Sequence, residues 1–249
     1  MIIEAGKWFG EGEWEDAGRP EQIATASTGV DHIDLTFMER MGVKVFSLLD
    51  DREGLNEIHA SSEWTFALIL MGLRRANRLL GQMDRGNAGF ELYEKTVGIV
   101  GLGRIGSNIW RWCTAFGAHV LYYDPFVHGY TAALEVIFRS CNIVCVTCSF
   151  NEDTRGMIDY SLLERLPQDA LLVNTSRGPI VNENDVTRIL KERKDLTYAV
   201  DVWDGELKGI KPPYLGLPNV LFTPHIAGHT VESETKAHAI AEKLLYNRD

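Results

Sequence analysis

One stretch restricts the fold more than any other: Val97 to Asp124, VGIVGLGRIGSNIWRWCTAFGAHVLYYD. Val97–Val100 is a short apolar run suited to a strand buried on both faces. Gly101, Gly103 and Gly106 follow with the spacing G-x-G-x-x-G. In a dinucleotide site the first glycine allows a tight turn, the second lets a pyrophosphate approach the backbone, and the third lets the helix pack on the strand. Ile105, Ile109, Trp112, Cys113 and Phe116 then share one helical face. The free N–H groups and positive dipole end of that helix suit phosphate. His119–Tyr123 reads as the next strand, closed by Asp124. A carboxylate there accepts hydrogen bonds from ribose hydroxyls and repels a 2′-phosphate, which favours NAD over NADP. The alternatives are a βαβ unit with no ligand and a site for another adenosine compound, such as a methyl donor.

The rest of the chain extends this alternation. Gln22–Ser27, Val43–Ser47, Asn142–Cys148, Ala170–Asn174, Thr197–Trp203 and Val220–Thr223 read as strands. Asp34–Met41, Thr131–Arg139, Tyr160–Arg165, Asn182–Arg193 and Thr230–Tyr246 read as helices, with Asn182 as an N-cap. Ile58–Leu80 reads as one long helix bridging two lobes, and Asp50–Asn56 as a charged loop. Residues 1–20 show no clear period, and Asn87–Glu94 is a connection. Strands alternating with helices predict an α/β fold built on a doubly wound parallel sheet.

Composition narrows the class. With 249 residues, 45% of them hydrophobic, the chain can bury a real core. A formal net charge of −10 argues against nonspecific nucleic-acid or anionic-membrane binding, which needs a basic surface. The acidic start MIIEAGKWFGEGEWED lacks a signal-peptide pattern, and the longest apolar run, Trp64–Leu73, is too short to span a bilayer. The four cysteines (Cys113, Cys141, Cys145, Cys148) fit a reducing, cytoplasmic setting. Cys145 and Cys148 form a C-x-x-C, but on a strand they face opposite sides, so they read as buried thiols and no metal site is expected.

In doubly wound sheets the ligand sits beyond the carboxyl ends of the strands. Three predicted strand ends carry suggestive polar groups: Arg177, Glu206 and His225. Arg177 can grip a carboxylate with two parallel hydrogen bonds and polarise the neighbouring carbonyl. His225 can give a proton to the oxygen that gains charge when hydride reaches the carbonyl carbon. Glu206 beside it would favour imidazolium and keep that acid loaded. Singly, the arginine reads as a surface ion pair, the histidine as structural and the glutamate as a solvated loop acid; the topology gathers all three at one sheet edge.

The sequence resembles the D-isomer-specific 2-hydroxyacid dehydrogenases, from about Gln22 to about Ala241. The motifs are ATASTGVDHID at 24–34, VGIVGLGRIG at 97–106, LLVNTSRGPIVNENDV at 171–186, AVDVWDGE at 199–206 and LPNVLFTPHIAG at 217–228. The resemblance implies that Arg177 binds substrate carboxylate and carbonyl, that His225 is the acid/base and that Glu206 is its partner. It implies that Thr175 and Asp201 lie near the nicotinamide, that Gly228 contributes to the cofactor site, and that Arg104 and Ile105 contact the pyrophosphate through their backbone. Ser27, Thr28 and Gly29 would hold the substrate carboxylate from the other lobe. A homodimer joined through the cofactor domain is also implied.

The chain differs from the family at several points. Residues 1–21 do not read as the strand–helix stretch usual there, and Asp124 to Asn142 is short. Thr147 and Ser149 stand where many members carry histidine and proline, and His229 where a small residue is usual. The expected organisation is a Rossmann domain at 81–228 and a smaller, discontinuous, flavodoxin-like substrate lobe at 1–80 and 229–249, truncated relative to the family. The expected activity is hydride transfer between NAD(H) and a small D-2-keto or 2-hydroxy acid, in the reductive direction. The alternatives are an NAD(H)-sensing binding protein without turnover and a relative acting on formate, phosphite or a phosphonate.

Overall fold

The structure, a computed structural model, describes residues 1–79, 86, 88–127 and 131–246. The chain divides into two compact units, Met1–Ala60 with Gly228–Asp249, and Ser61–Ala227.

The first unit opens with β1 (Ile2–Ile3), α1 (Glu11–Asp16), β2 (Gln22–Thr25), α2 (Leu35–Arg40), β3 (Lys44–Phe46) and α3 (Arg52–Asn56). Its strands form a parallel sheet in the order β1-β2-β3. Residues 1–21 thus do hold a strand and a helix, contrary to the expectation. With two residues in β1 and six in α1, both are too short to show a period. Burial fixes them instead. Ile3, Trp14, Ile23, Phe37 and Met38 share one core, and the rings of Trp14 and Phe37 meet edge-on at 5.4 Å. The expected charged loop at 50–56 is another correction, because its acids are caps. Asp51 accepts from Gly54 N at 3.2 Å and starts α3, and Asp50 accepts from Ser47 N at 2.7 Å.

The second unit begins with α4 (Ala60–Leu73) and α5 (Ala76–Leu79). These replace the single helix expected to reach Leu80, which lies outside the described residues, as does Asn87 in the expected connection. Arg75, at φ +54°, breaks the ladder between them. Its guanidinium is held by Asp169 at 3.0 Å. Leu68, Ile69 and Leu73 of α4 pack into the core of the second unit's sheet, so the break between units falls at Ala60 rather than near residue 80.

That sheet comprises β4 (Thr96–Val100), β5 (His119–Tyr123), β6 (Ile143–Val146), β7 (Leu171–Asn174), β8 (Thr197–Val200) and β9 (Val220–Phe222). Interleaved are α6 (Arg104–Ala115), α7 (Leu134–Ser140), α8 (Tyr160–Leu163) and α9 (Glu183–Glu192). All neighbours pair in parallel, in the order β5-β4-β6-β7-β8-β9. The two faces alternate along each strand. Val144, Val146, Leu172 and Val200 pack with α7, α8 and α9, whereas Val97, Ile99, Cys145 and Val173 pack with α4 and α6. Each such side chain contributes roughly 1.5–3 kcal/mol by leaving water. The chain runs from β4 to β5 on one side and returns to β6 on the other, so the switch point lies at the carboxyl ends of β4 and β6. The expected helix at Thr131 starts later, at Leu134, because the Thr131 hydroxyl is engaged by Asp124 N at 3.1 Å.

The chain then returns to the first unit through α10 (Val231–Tyr246). Ile240 of α10 meets Gly54 of α3 so closely that a Cβ on the glycine would lie 2.9 Å from Ile240 Cγ1.

Candidate active site

The glycine turn occupies the switch point, and its three glycines are held there for different reasons. Gly101 has φ +95°, and a Cβ there would lie 2.4 Å from Cys148 Cα in the loop after β6. A Cβ on Gly106 would lie 2.1 Å from Gly101 O, so only glycine lets α6 sit this close to the turn. Gly103, the N-cap of α6, has open space where its Cβ would be. No contact within the protein demands a glycine at 103; an approaching phosphate would. The first-turn N–H groups of α6 lie at the positive end of its dipole and suit an anion. Burial lowers the pKa of the Arg104 guanidinium. Asp124, half-buried at the end of β5, accepts from Leu102 N at 2.8 Å on Oδ2 and from Phe126 N at 2.9 Å on Oδ1. Each carboxylate oxygen keeps a second lone pair, so ribose hydroxyls can still be accepted. This side-chain set fits NAD.

Beyond β7, Asn174 shapes the loop that carries Arg177. Its Nδ2 donates to Arg177 O at 3.1 Å and its Oδ1 accepts from Ser176 N at 3.1 Å. A Cβ on the next residue, Gly178, would lie 2.0 Å from the carbonyl carbon of Trp203. The loops after β7 and β8 therefore touch backbone to backbone. Thr175 is buried and meets Thr65 of α4, oxygen to oxygen, at 2.6 Å. Thr65 spends its hydroxyl proton on Ser61 O, so Thr175 is the donor in this pair and can only accept from a ligand.

Beyond β8, Asp201 is fully buried. Its carboxylate accepts from Thr223 Oγ1 at 2.5 Å, Ile226 N at 3.0 Å and Ala227 N at 2.9 Å, and its carbonyl accepts from His225 N at 2.8 Å. Asp201 thus folds the whole segment 223–227 around itself. Burial raises its pKa, against the opposing pull of the Thr223 and backbone hydrogen bonds. Trp64 of α4 adds a further link by donating to Thr223 Oγ1 at 3.3 Å. The resemblance pointed to Asp201 only as a neighbour of the nicotinamide; its part in folding 223–227, and the parts of Thr223 and Trp64, were missed, because a buried acid looks like an exposed one in a sequence.

Glu206 stands in a one-turn 3-10 helix between Gly205 and Gly209, both left-handed. Its Oε1 lies 3.0 Å from His225 Nδ1. Its Oε2 is enclosed with no hydrogen-bond partner among the described residues. His225 itself has φ +53°, a region that bulky residues rarely occupy. Burial alone would lower the pKa of its imidazole. The hydrogen bond and charge of Glu206, helped by Asp201, outweigh burial and the opposing charge of Arg177, leaving the pKa above its ordinary value. Arg177, Glu206 and His225, predicted from three strand ends, therefore do share one edge of the second unit's sheet.

The other predicted residues divide. Ser27, Thr28 and Gly29 lie in the first unit, directly after β2, and Gly228 begins the return to that unit. His229 Nδ1 is hydrogen-bonded to Glu234 in the first turn of α10, and the ring is largely exposed. Cys113, Cys141, Cys145 and Cys148 are free thiols, and burial pushes the Cys113 and Cys141 pKa values up to about 12. Among the described residues no three His, Cys, Asp or Glu side chains converge as a metal site. No helix is long and apolar enough to cross a membrane.

Residues 66–227 match the family described as D-isomer specific 2-hydroxyacid dehydrogenase, NAD binding domain. The chain belongs to this family. NAD is accordingly its cofactor. The chain is 31% identical, over 90% of its length, to a D-3-phosphoglycerate dehydrogenase of Archaeoglobus fulgidus, and covers 44% of that protein. It is 31% identical, over 86% of its length, to an erythronate-4-phosphate dehydrogenase of Blochmanniella floridana, covering 55% of it. It thus spans about half the length of the curated relatives it matches first. Among solved structures, it superposes on a D-lactate dehydrogenase from Aquifex aeolicus, complexed with NAD and lactic acid. There the TM-score is 0.81 at 25% identity, covering 98% of this chain and 81% of that one.

Proposed function

We propose that this protein is an NAD-dependent dehydrogenase of a small D-2-hydroxy acid, working chiefly as a reductase of the 2-keto acid. The observation that carries this reading is the His225–Glu206 pair at 3.0 Å, on the same sheet edge as Arg177 and the glycine turn. NAD(H) supplies or accepts the hydride. The turn at Gly101, Gly103 and Gly106, with Arg104 and Ile105, cradles the pyrophosphate, and Asp124 takes the ribose. Thr175, Asp201 and Gly228 border the nicotinamide. Arg177 grips the substrate carboxylate and polarises its carbonyl. His225 holds its transferable proton on Nε2, because Nδ1 is turned to Glu206. It delivers that proton to the oxygen on which charge develops. The raised imidazole pKa keeps the acid loaded near neutral pH. The turn Ser27–Gly29 holds the carboxylate of the substrate through backbone groups.

We also propose a homodimer, supported by the exposed rings of Tyr93, Trp110 and Phe116 on the second unit. A cytoplasmic setting is supported by the four free thiols.

The test is a titration with NADH and NADPH, followed through energy transfer from tryptophan, and then a panel of 2-keto acids. NADH is expected to bind and NADPH to bind weakly. A His225→Ala variant should keep NADH binding while turnover falls about 10²–10⁴-fold. Unchanged turnover in that variant would sink the acid/base assignment.

A further inference from the structure

The turn Ser27–Gly29 is shaped by side chains that have no place in the chemistry above. Thr25 Oγ1 lies 3.2 Å from Ser27 Oγ and 2.9 Å from His32 Nε2. The Ser27 hydroxyl donates to Gly29 O at 2.6 Å. Thr25 is fully buried and His32 is 3% exposed. Burying two polar side chains costs free energy unless each hydrogen bond is made, so this chain of contacts is tightly specified.

The donors can be assigned by counting protons. Ser27 has one hydroxyl proton, and Gly29 O takes it. Ser27 Oγ must then accept from Thr25. Thr25 has thereby used its own proton and must accept from His32, which therefore carries a proton on Nε2. The run His32 Nε2–H to Thr25 to Ser27 to Gly29 O has one direction only. The ends of the segment are fixed separately by backbone bonds. Leu48 N donates to Ser27 O at 3.0 Å, and Phe9 N donates to His32 O at 2.8 Å. Between those anchors the side-chain run ends on Gly29 O and holds it. Among the described residues, no acceptor takes the N–H of Thr28 or Gly29. Adjacent free N–H groups of this kind suit a carboxylate.

We infer that His32 is a positioning residue for substrate: through Thr25 and Ser27 it sets the Ser27–Gly29 turn so that its N–H groups face the substrate carboxylate. The inference rests on the proposed keto-acid reductase. His32 contacts neither substrate nor cofactor in this role, so its loss shows in substrate affinity rather than in cofactor binding.

The experiment compares His32→Leu, His32→Gln and Thr25→Val in the full chain. Steady-state kinetics use the best keto acid of the panel, with NADH affinity measured separately. Gln keeps an N–H at the reach of Nε2; Leu removes it. His32→Leu and Thr25→Val should each raise KM about tenfold, with kcat and NADH affinity little changed, and His32→Gln should recover most of the loss. KM at the wild-type value in His32→Leu, or no recovery in His32→Gln, would overturn the inference while leaving the reductase reading intact. A wild-type protein that binds NADH but turns over no keto acid would overturn both. Should the Leu variant not fold, nitrogen-15 spectra of the wild-type histidines decide. A proton on His32 Nε2 is expected, and a His32 ring protonated on Nδ1 alone would refute the donor order.

Discussion

The loops after β4 and after β9 face the same local problem and answer it in opposite ways. Each needs a backbone in the left-handed region: Gly101 at φ +95° and His225 at φ +53°. At 101 nothing but a turn is required, and glycine takes the conformation without strain. At 225 a full side chain takes the same region, so strain of about 1–3 kcal/mol has to be balanced by other contacts. Asp201 supplies them, accepting three hydrogen bonds from residues 223–227 on its carboxylate and one from His225 N on its carbonyl. A cofactor turn can thus be written in its own glycines. The loop that carries His225 must be written partly in a neighbouring strand end.

Swapping the glycines attacks the first half of this comparison and should give the largest effects. Gly101→Ala adds left-handed strain to an overlap with Cys148 and should destabilise the fold by about 2–5 kcal/mol, read by denaturant melts. Gly103→Ala meets open space, so stability should change by no more than about 1 kcal/mol while NADH affinity falls at least about tenfold. If both variants lost stability equally, the distinction between a turn glycine and a ligand glycine would be wrong.

Glu206→Gln probes the second half more gently. Glu206 raises the His225 pKa, so under the proposed acid role reduction should be lost as pH rises through that raised value. Removing the carboxylate should shift the alkaline limb of the kcat/KM profile to lower pH and reduce the rate about 10–100-fold at neutral pH. An unmoved limb would mean that Glu206 does not load the acid. The smallest effect is thermodynamic. Both His225→Ala and His225→Gly remove the imidazole, but only glycine relieves the backbone. The glycine variant should be more stable than the alanine one by about 1 kcal/mol, visible as a higher melting temperature. Equal melting would place the strain elsewhere.

How far the sequence could be read follows the same division. The β4–α6 stretch was legible because fully buried strands show as apolar runs and glycines mark the turn. The common sheet edge of Arg177, Glu206 and His225 was legible because each follows a predicted strand of a doubly wound sheet. The break at Arg75 was not, because a non-glycine left-handed residue leaves no mark in a sequence; it is held by its ion pair with Asp169. Nor was α3, because its N-cap Asp51, and Ser47 that caps the one-turn 3-10 helix Leu48–Asp50 before it, read equally well as a polar loop. The edge of the second unit was misplaced for a related reason. Leu68, Ile69 and Leu73 are apolar enough for any core, and only packing shows which one they join.

Gly178 has a wider consequence. A would-be Cβ there falls 2.0 Å from the Trp203 carbonyl carbon, so the loops bearing Arg177 and Glu206 share a seam with no side chain between them. Two loops joined in this way cannot drift apart one residue at a time. A change of length or register on either side has to be answered on the other, and the distance between the Arg177 guanidinium and the Glu206 carboxylate, on which the proposed mechanism depends, is inherited as a single measurement. Redesign for a larger substrate would therefore meet less resistance elsewhere around the site than at this seam.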